Sequence, residues 1–262
     1  EPETFHNRHS QLIADPETGH ELTLPTEPEY DEWILQAITD YIESLDHLSY
    51  SALDTKPEYF LKQRILQLKD RSPSLTLGSQ VHDIIEERLE GNNPDVPSQL
   101  KPYIDNAERI KQRIREDYPT LVSTEESFTV PLQTVLGVDT SLDYTGYIDA
   151  VFKNPEGDVL LVDWKTSKRT NNESKHRRQL WTYEKAYVHK HNKNPEQIRV
   201  AIAYIGLQNR INNGEISYEY IDKQPTRRVQ NTLKRRWQRL LEWRKNPKIL
   251  AEKTNSDILR TF

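Results

Sequence analysis

The stretch Gly146–Lys168, GYIDAVFKNPEGDVLLVDWKTSK, decides the fold. Two apolar runs of strand length flank NPEG, a composition that closes a hairpin. Each run carries an aspartate, Asp149 or Asp163, where a buried strand should be apolar, and Lys165 follows two residues after the second. Residues i and i+2 of a strand share a face, so Asp163 and Lys165 project together with Trp164 on the other side. The hairpin brings Asp149 beside Asp163. Two carboxylates held close on a low-dielectric sheet repel, and one must protonate unless a cation removes the conflict. Two acids with water and a phosphate form an oxygen-only set that suits Mg2+ or Mn2+. Lys165 then has a task, either on the attacking water or on charge growing at the phosphate oxygens, and the set reads as a site for phosphodiester hydrolysis. The plainer alternative is a buried ion pair between Lys165 and one aspartate, which leaves the second acid unexplained.

Outward from this hairpin the periodicity changes. Upstream, TEPE at Thr26 forms a capping box for a helix with Trp33, Ile34, Ile38, Tyr41, Ile42 and Leu45 at helical spacing. A second helix is expected after LSYSAL, through Phe60, Leu61, Ile65 and Leu68. A third covers GSQVHDIIEERLE, and a fourth runs from about Pro97 to Asp117. ESFTVPL, TSLDYTGYIDAVF and DVLLVDWKT read as strands. A helix from about Glu173 to Lys190, strand RVAIAYIGL, a turn at INNG, strand EISYEYI and a basic helix from about Thr226 to Lys245 complete the chain. This order predicts an α/β or α+β domain with a central mixed sheet.

Composition excludes several classes. The 262 residues contain no cysteine, so disulfides, thiolate zinc sites and cysteine-ligated iron–sulfur clusters are ruled out. No apolar run reaches the roughly 20 residues that span a bilayer, and no signal-peptide pattern opens the sequence, so a cytoplasmic protein with no membrane partner is expected. The net charge of −5 hides an asymmetry: residues 1–60 hold 14 acids against 2 bases, and residues 223–248 hold 10 Lys/Arg against Glu242. A local basic surface steers a polyanion better than net charge does, although a solvated basic helix face would look the same.

Five elements in order then resemble a known family. GYIDAV, VDWKTSK and QLWTY look like the Gly-x-x-Asp, Asp/Glu-x-Lys and Gln-x-x-x-Tyr elements of the RecB-type branch of the PD-(D/E)XK nucleases. GSQVHDIIEERL resembles that branch's Gly-x-x-x-His element through Gly78 and His82. LSYSALDTKPEYFLKQRIL resembles its Leu-Ser-x-Ser-x-Leu opening, so the likeness spans about Leu48 to Leu207. Lys56-Pro57 stands where many relatives carry Cys-Pro, so no iron–sulfur cluster is expected and another device must secure the ends of the domain. Ile148 precedes Asp149, which is ordinary in this branch.

The resemblance implies a restriction-endonuclease-like α/β core, a central mixed β-sheet flanked by helices, with an N-terminal helical part. The expected division is an arm at 1–25, helical part at 26–120, nuclease core at 121–250 and tail at 251–262. It further implies that Asp149, Asp163, His82 and the Trp164 backbone carbonyl hold Mg2+ or Mn2+, and that Lys165 acts on water or phosphate. Gln179 and Tyr183 would organise the site or touch substrate; helix packing is the other reading for both, as a core position is for His82. Lys168, Arg169, Lys175, Arg177 and Arg178 would hold DNA phosphates, or are simply an exposed loop and helix start. The implied activity is that of a metal-dependent DNA nuclease, an exonuclease on ends or single strands, in recombination, repair or CRISPR-type processing. DNA is the expected partner, with a helicase or recombination protein as a candidate second partner. A non-catalytic DNA-end-binding module of a helicase–nuclease is the rival.

Overall fold

The computed structural model describes residues 27–67, 73–206, 216–219 and 223–254. The expected N-terminal arm, the Thr26 cap, Leu68, the INNG turn and most of the expected C-terminal tail lie outside the described residues. The described residues form two compact units that interleave along the chain, one from 27–46, 51–67 and 233–254, the other from 47–50, 73–206, 216–219 and 223–232. Among the described residues no helix is long and apolar enough to cross a membrane.

The first unit is helical. Helix α1 (Glu27–Glu43) buries Ile34, Ile38 and Ile42, one face at i, i+4 and i+8. The helix expected after LSYSAL starts only at Pro57, with a short strand, a single turn and a break before it. Leu48 lies in strand β1 (His47–Ser49), α2 (Tyr50–Leu53) is a single turn, and Lys56 is extended at φ −76°, ψ 151°. The break is local chemistry: the residue before a proline avoids the helical region, and Pro57 then opens α3 (Pro57–Phe60), where its missing N–H costs nothing. A π-helical turn, Leu61–Ile65, follows. From the other end of the sequence, helices α8 (Lys223–Lys245, whose last part belongs to this unit) and α9 (Lys248–Thr254) complete it. Here Trp243 is fully buried with its ring 5.2 Å from Phe60, and Trp237 is 7% exposed, so both tryptophans are core. Arg236 pairs with buried Asp54 at 3.3 Å, and Arg239 donates to the Thr55 carbonyl at 2.6 Å while lying over Trp243. Part of the basic helix therefore serves its own unit.

The second unit is a mixed α/β layer structure. Helices α4 (Pro73–Leu89) and α5 (Lys101–Asp117) precede strand β2 (Thr120–Pro131), short helix α6 (Leu132–Leu136), and strands β3 (Asp143–Lys153) and β4 (Val159–Lys165). Helix α7 (Glu173–His191) crosses over to β5 (Ile198–Tyr204), which pairs with β6 (Ile216–Glu219). The sheet order is β1-β3-β4-β5-β6, with β2 on β3; β1·β3 and β4·β5 are parallel and the other pairs antiparallel. This is the central mixed sheet flanked by helices of a restriction-endonuclease-like fold. The NPEG turn forms as expected, with Gly157 at φ 96° and the Asp158 amide donating to the Asn154 side chain.

Alternation sorts β4 between two layers. Leu160, Val162 and Trp164 join Ala150, Phe152, Ala201 and Ala203 in one core with Val81, Ile85, Ile104 and Ile110 of α4 and α5. Asp163 and Lys165 face the other way, toward α7. Burying a dozen or more such side chains, each worth about 1.5–3 kcal/mol, makes this layer the rigid base on which the polar end of β4 stands.

Candidate active site

Strands β3 and β4 pair from Lys153↔Val159 to Ala150↔Val162 and no further. The next pair in that register is Asp149 and Asp163, and there the strands fork. Asp149 Oδ2 takes over the role of a strand carbonyl and accepts the Trp164 amide at 2.7 Å. Asp163, 2% exposed, holds the Lys165 ammonium at 2.6 Å. The side-by-side aspartates that the hairpin reading required are thus present.

α4 and α7 bring the remaining groups. His82 of α4 sits with Nε2 3.0 Å from the Trp164 carbonyl and Nδ1 3.8 Å from Asp149 Oδ2. A carbonyl only accepts, so Nε2 carries the proton. Burial, reinforced by Lys165, lowers the His82 pKa against the pull of Asp163, so the ring is neutral and Nδ1 offers a lone pair toward Asp149. From α7, Gln179 receives Lys165 Nζ at 3.4 Å and donates to the Tyr183 hydroxyl at 2.7 Å. Their i,i+4 spacing makes the chain Asp163–Lys165–Gln179–Tyr183 continuous. Burial works against the Lys165 charge, yet Asp163 and Asp149 together outweigh it and raise its pKa. Lys165 is an ammonium, a donor of charge and protons and not a base.

Asp149 carries the cost of this crowding. Burial first, and the Asp163 charge second, raise its carboxyl from 3.8 to about 7. The folded protein therefore binds an extra proton between those pH values. Stability from this group is full below about pH 4 and is lost as pH rises through about 7. Thermal unfolding in chelator is expected to show wild type losing Tm relative to Asp149→Asn as pH rises from about 4 to about 7. A profile unchanged by the substitution would contradict the assignment. The donor set fits a divalent cation for the same reason: two crowded carboxylates, a neutral imidazole nitrogen and a carbonyl with one lone pair left after His82.

The five basic residues divide. Lys168, Arg169 and Lys175 are exposed between β4 and the first turn of α7. Arg177 is tied to Glu173 at 2.6 Å, and Arg178 is half-buried.

Three residues that sequence reading did not single out stand in or beside this site. Glu125 of β2 falls opposite Asp149, between the pairs Thr124↔Ala150 and Glu126↔Ile148. A strand that joins its partner through a helix has no register readable in the sequence, so Glu125 had no visible neighbour. His176, one turn before Gln179 on α7, meets the Tyr204 hydroxyl at 3.1 Å, and burial with Lys165 pushes it down to about 4. Tyr147, two residues before Asp149 and so on its face of β3, is 60% exposed.

Fold and site together define a metal-dependent phosphodiesterase class. A family profile for the PD-(D/E)XK nuclease superfamily matches residues 47–254, and the chain belongs to that superfamily. It is accordingly a nuclease, a phosphodiester hydrolase of a superfamily that acts on DNA with divalent metals. No curated protein matches the chain. Among solved structures, it is similar to a "putative exonuclease" from Eubacterium rectale, at 12% identity and TM-score 0.47 over 86% of this chain and 87% of that one. It is also similar to the protein SSO0001, at 13% identity and TM-score 0.38 over 78% and 84%.

Proposed function

We propose that this chain is a metal-dependent DNA exonuclease of the RecB-type branch, acting on DNA ends or single strands in recombination, repair or CRISPR-type processing. The observation that carries the reading is the fork, where Asp149 and Asp163 stand opposite each other with Lys165 on the same strand face. Asp149, Asp163, the Trp164 carbonyl and His82 would hold Mg2+ or Mn2+. A bound divalent cation supplies Lewis acidity toward a phosphate oxygen and lowers the pKa of water. Lys165, kept protonated by both aspartates, neutralises charge on the scissile phosphate. Gln179 fixes the Lys165 head group, and Tyr183, itself held by Gln179, limits where that amide turns. Lys168, Arg169 and Lys175 are the exposed candidates for flanking phosphates.

Tyr147 supports the preference for single strands, because an exposed aromatic on the Asp149 face offers a stacking surface to an unpaired base. End-labelled single- and double-stranded DNA, incubated with Mg2+, Mn2+ or chelator, tests the reading. Stepwise shortening from an end, dependent on metal and faster on single strands, is expected. Tight DNA binding without cleavage under any metal would replace it with a DNA-end-binding module.

A further inference from the structure

A row of three carboxylates crosses the sheet, Glu125 on β2, Asp149 on β3 and Asp163 on β4, and two of them are engaged. Asp149 accepts the Trp164 amide and Asp163 holds Lys165. Glu125 is half-buried, yet its carboxylate makes no hydrogen bond or ion pair among the described residues. Its neighbours are satisfied differently: Thr124 donates to Glu90, and Glu126 takes Lys190, His191 and Ser123.

The backbone adds a second oddity. Glu125 has φ 42°, the left-handed region, in the middle of a twelve-residue strand. Glycine or asparagine adopts that conformation at little cost, and glutamate does not. Backbone economy therefore fails to explain the residue, and the carboxylate must. It reaches the His82–Asp149 pair: one oxygen of Glu125, one ring nitrogen of His82 and one oxygen of Asp149 all lie within 4.8 Å of one another. Ligands held about 2.1 Å from one ion stand roughly 3–4 Å apart, so small side-chain adjustments would close this set.

We propose that Glu125 is a cation ligand of this chain, completing a three-residue set with His82 and Asp149. The proposal rests on the reading of Asp149 as a metal ligand. Two carboxylates and one neutral imidazole balance a divalent charge. The nitrogen donor tilts the set toward Mn2+, since Mg2+ takes oxygen ligands. Asp163, on the other side of Asp149 in the row, stays the ligand proposed above and holds Lys165, whose ammonium is left to the phosphate.

Calorimetric titration of the full chain with Mn2+ tests this without reference to cleavage. Glu125→Gln is expected to bind Mn2+ about tenfold more weakly than wild type, with exposed Glu156→Gln unchanged as a control. Glu125→Gly keeps the left-handed backbone without the carboxylate, so it should melt no lower than wild type in chelator and still lose about tenfold in Mn2+ affinity. That combination separates a ligand from a structural residue. Equal Mn2+ affinity in wild type and both Glu125 variants overturns the ligand assignment and leaves the nuclease reading standing. Absence of Mn2+ binding in wild type overturns both.

Discussion

Asp163→Asn is expected to lower metal-dependent DNA cleavage by at least about a thousandfold, roughly 4 kcal/mol of transition-state stabilisation. The substitution keeps the shape of a 2%-exposed side chain and removes one of the two charges at the fork. It also removes the partner that holds Lys165 at 2.6 Å, so the ammonium loses its anchor as well as its neighbour. Leaving a buried lysine without its acid destabilises a fold by several kcal/mol, but here Asp149 stands ready to take the charge. A linked result follows from the same geometry. Asp163 is the second cause, after burial, of the raised Asp149 pKa, so the variant's pH-dependent loss of stability should move to lower pH. Single-turnover cleavage and thermal unfolding across pH measure the two effects. Cleavage within tenfold of wild type would remove Asp163 from the reacting centre.

Gly206→Ala is expected to cost about 3 kcal/mol or more in stability, a fall in Tm of roughly 6–12 °C, together with loss of cleavage. A Cβ at Gly206 would meet the Thr166 carbonyl oxygen at 2.0 Å and its carbon at 2.5 Å, and backbone cannot rotate aside as a side chain can. The same junction closes the β4 end, where the Ile205 amide donates to the Lys165 carbonyl at 3.0 Å. Displacing Thr166 therefore moves the residue that follows Lys165. Gly78→Ala makes the contrasting case: its Cβ would sit 3.5 Å from Thr166 Oγ1, an ordinary contact, and alanine favours the helix. Gly78→Ala should melt at or above the parent temperature. Equal melting of the two variants would contradict the close approach at Gly206.

The hairpin was legible because its two strands are consecutive and NPEG fixes their register, so Asp149, Asp163 and Lys165 could be placed from spacing alone. The i,i+4 pair Gln179 and Tyr183 was legible on a helix for the same reason. Neither spacing could show that Gln179 receives Lys165, because that contact depends on how α7 packs on the sheet. Glu125 lay further out of reach. Its partner strand begins after α6 and a loop, and its left-handed backbone breaks the alternation on which a strand reading relies. The second helix was legible in the spacing of Phe60, Leu61 and Ile65, but not its start at Pro57 or its π-helical last turn, which periodicity does not show. Gly146 was readable only as a motif residue. The structure supplies its reason: a Cβ there would meet the Phe128 ring at 2.6 Å, and Phe128 stacks on Tyr144 and meets Tyr183 edge-on.

The helical unit ties an early segment of the sequence to a late one through Phe60, Trp243 and the Asp54–Arg236 pair, with no cysteine anywhere in the chain. A closure made of packed rings and an ion pair is blind to oxygen and to iron chelation. Stripping divalent ions with EDTA should therefore silence the nuclease while leaving this clasp intact, and the inactive protein can be handled in air and recharged with metal afterwards.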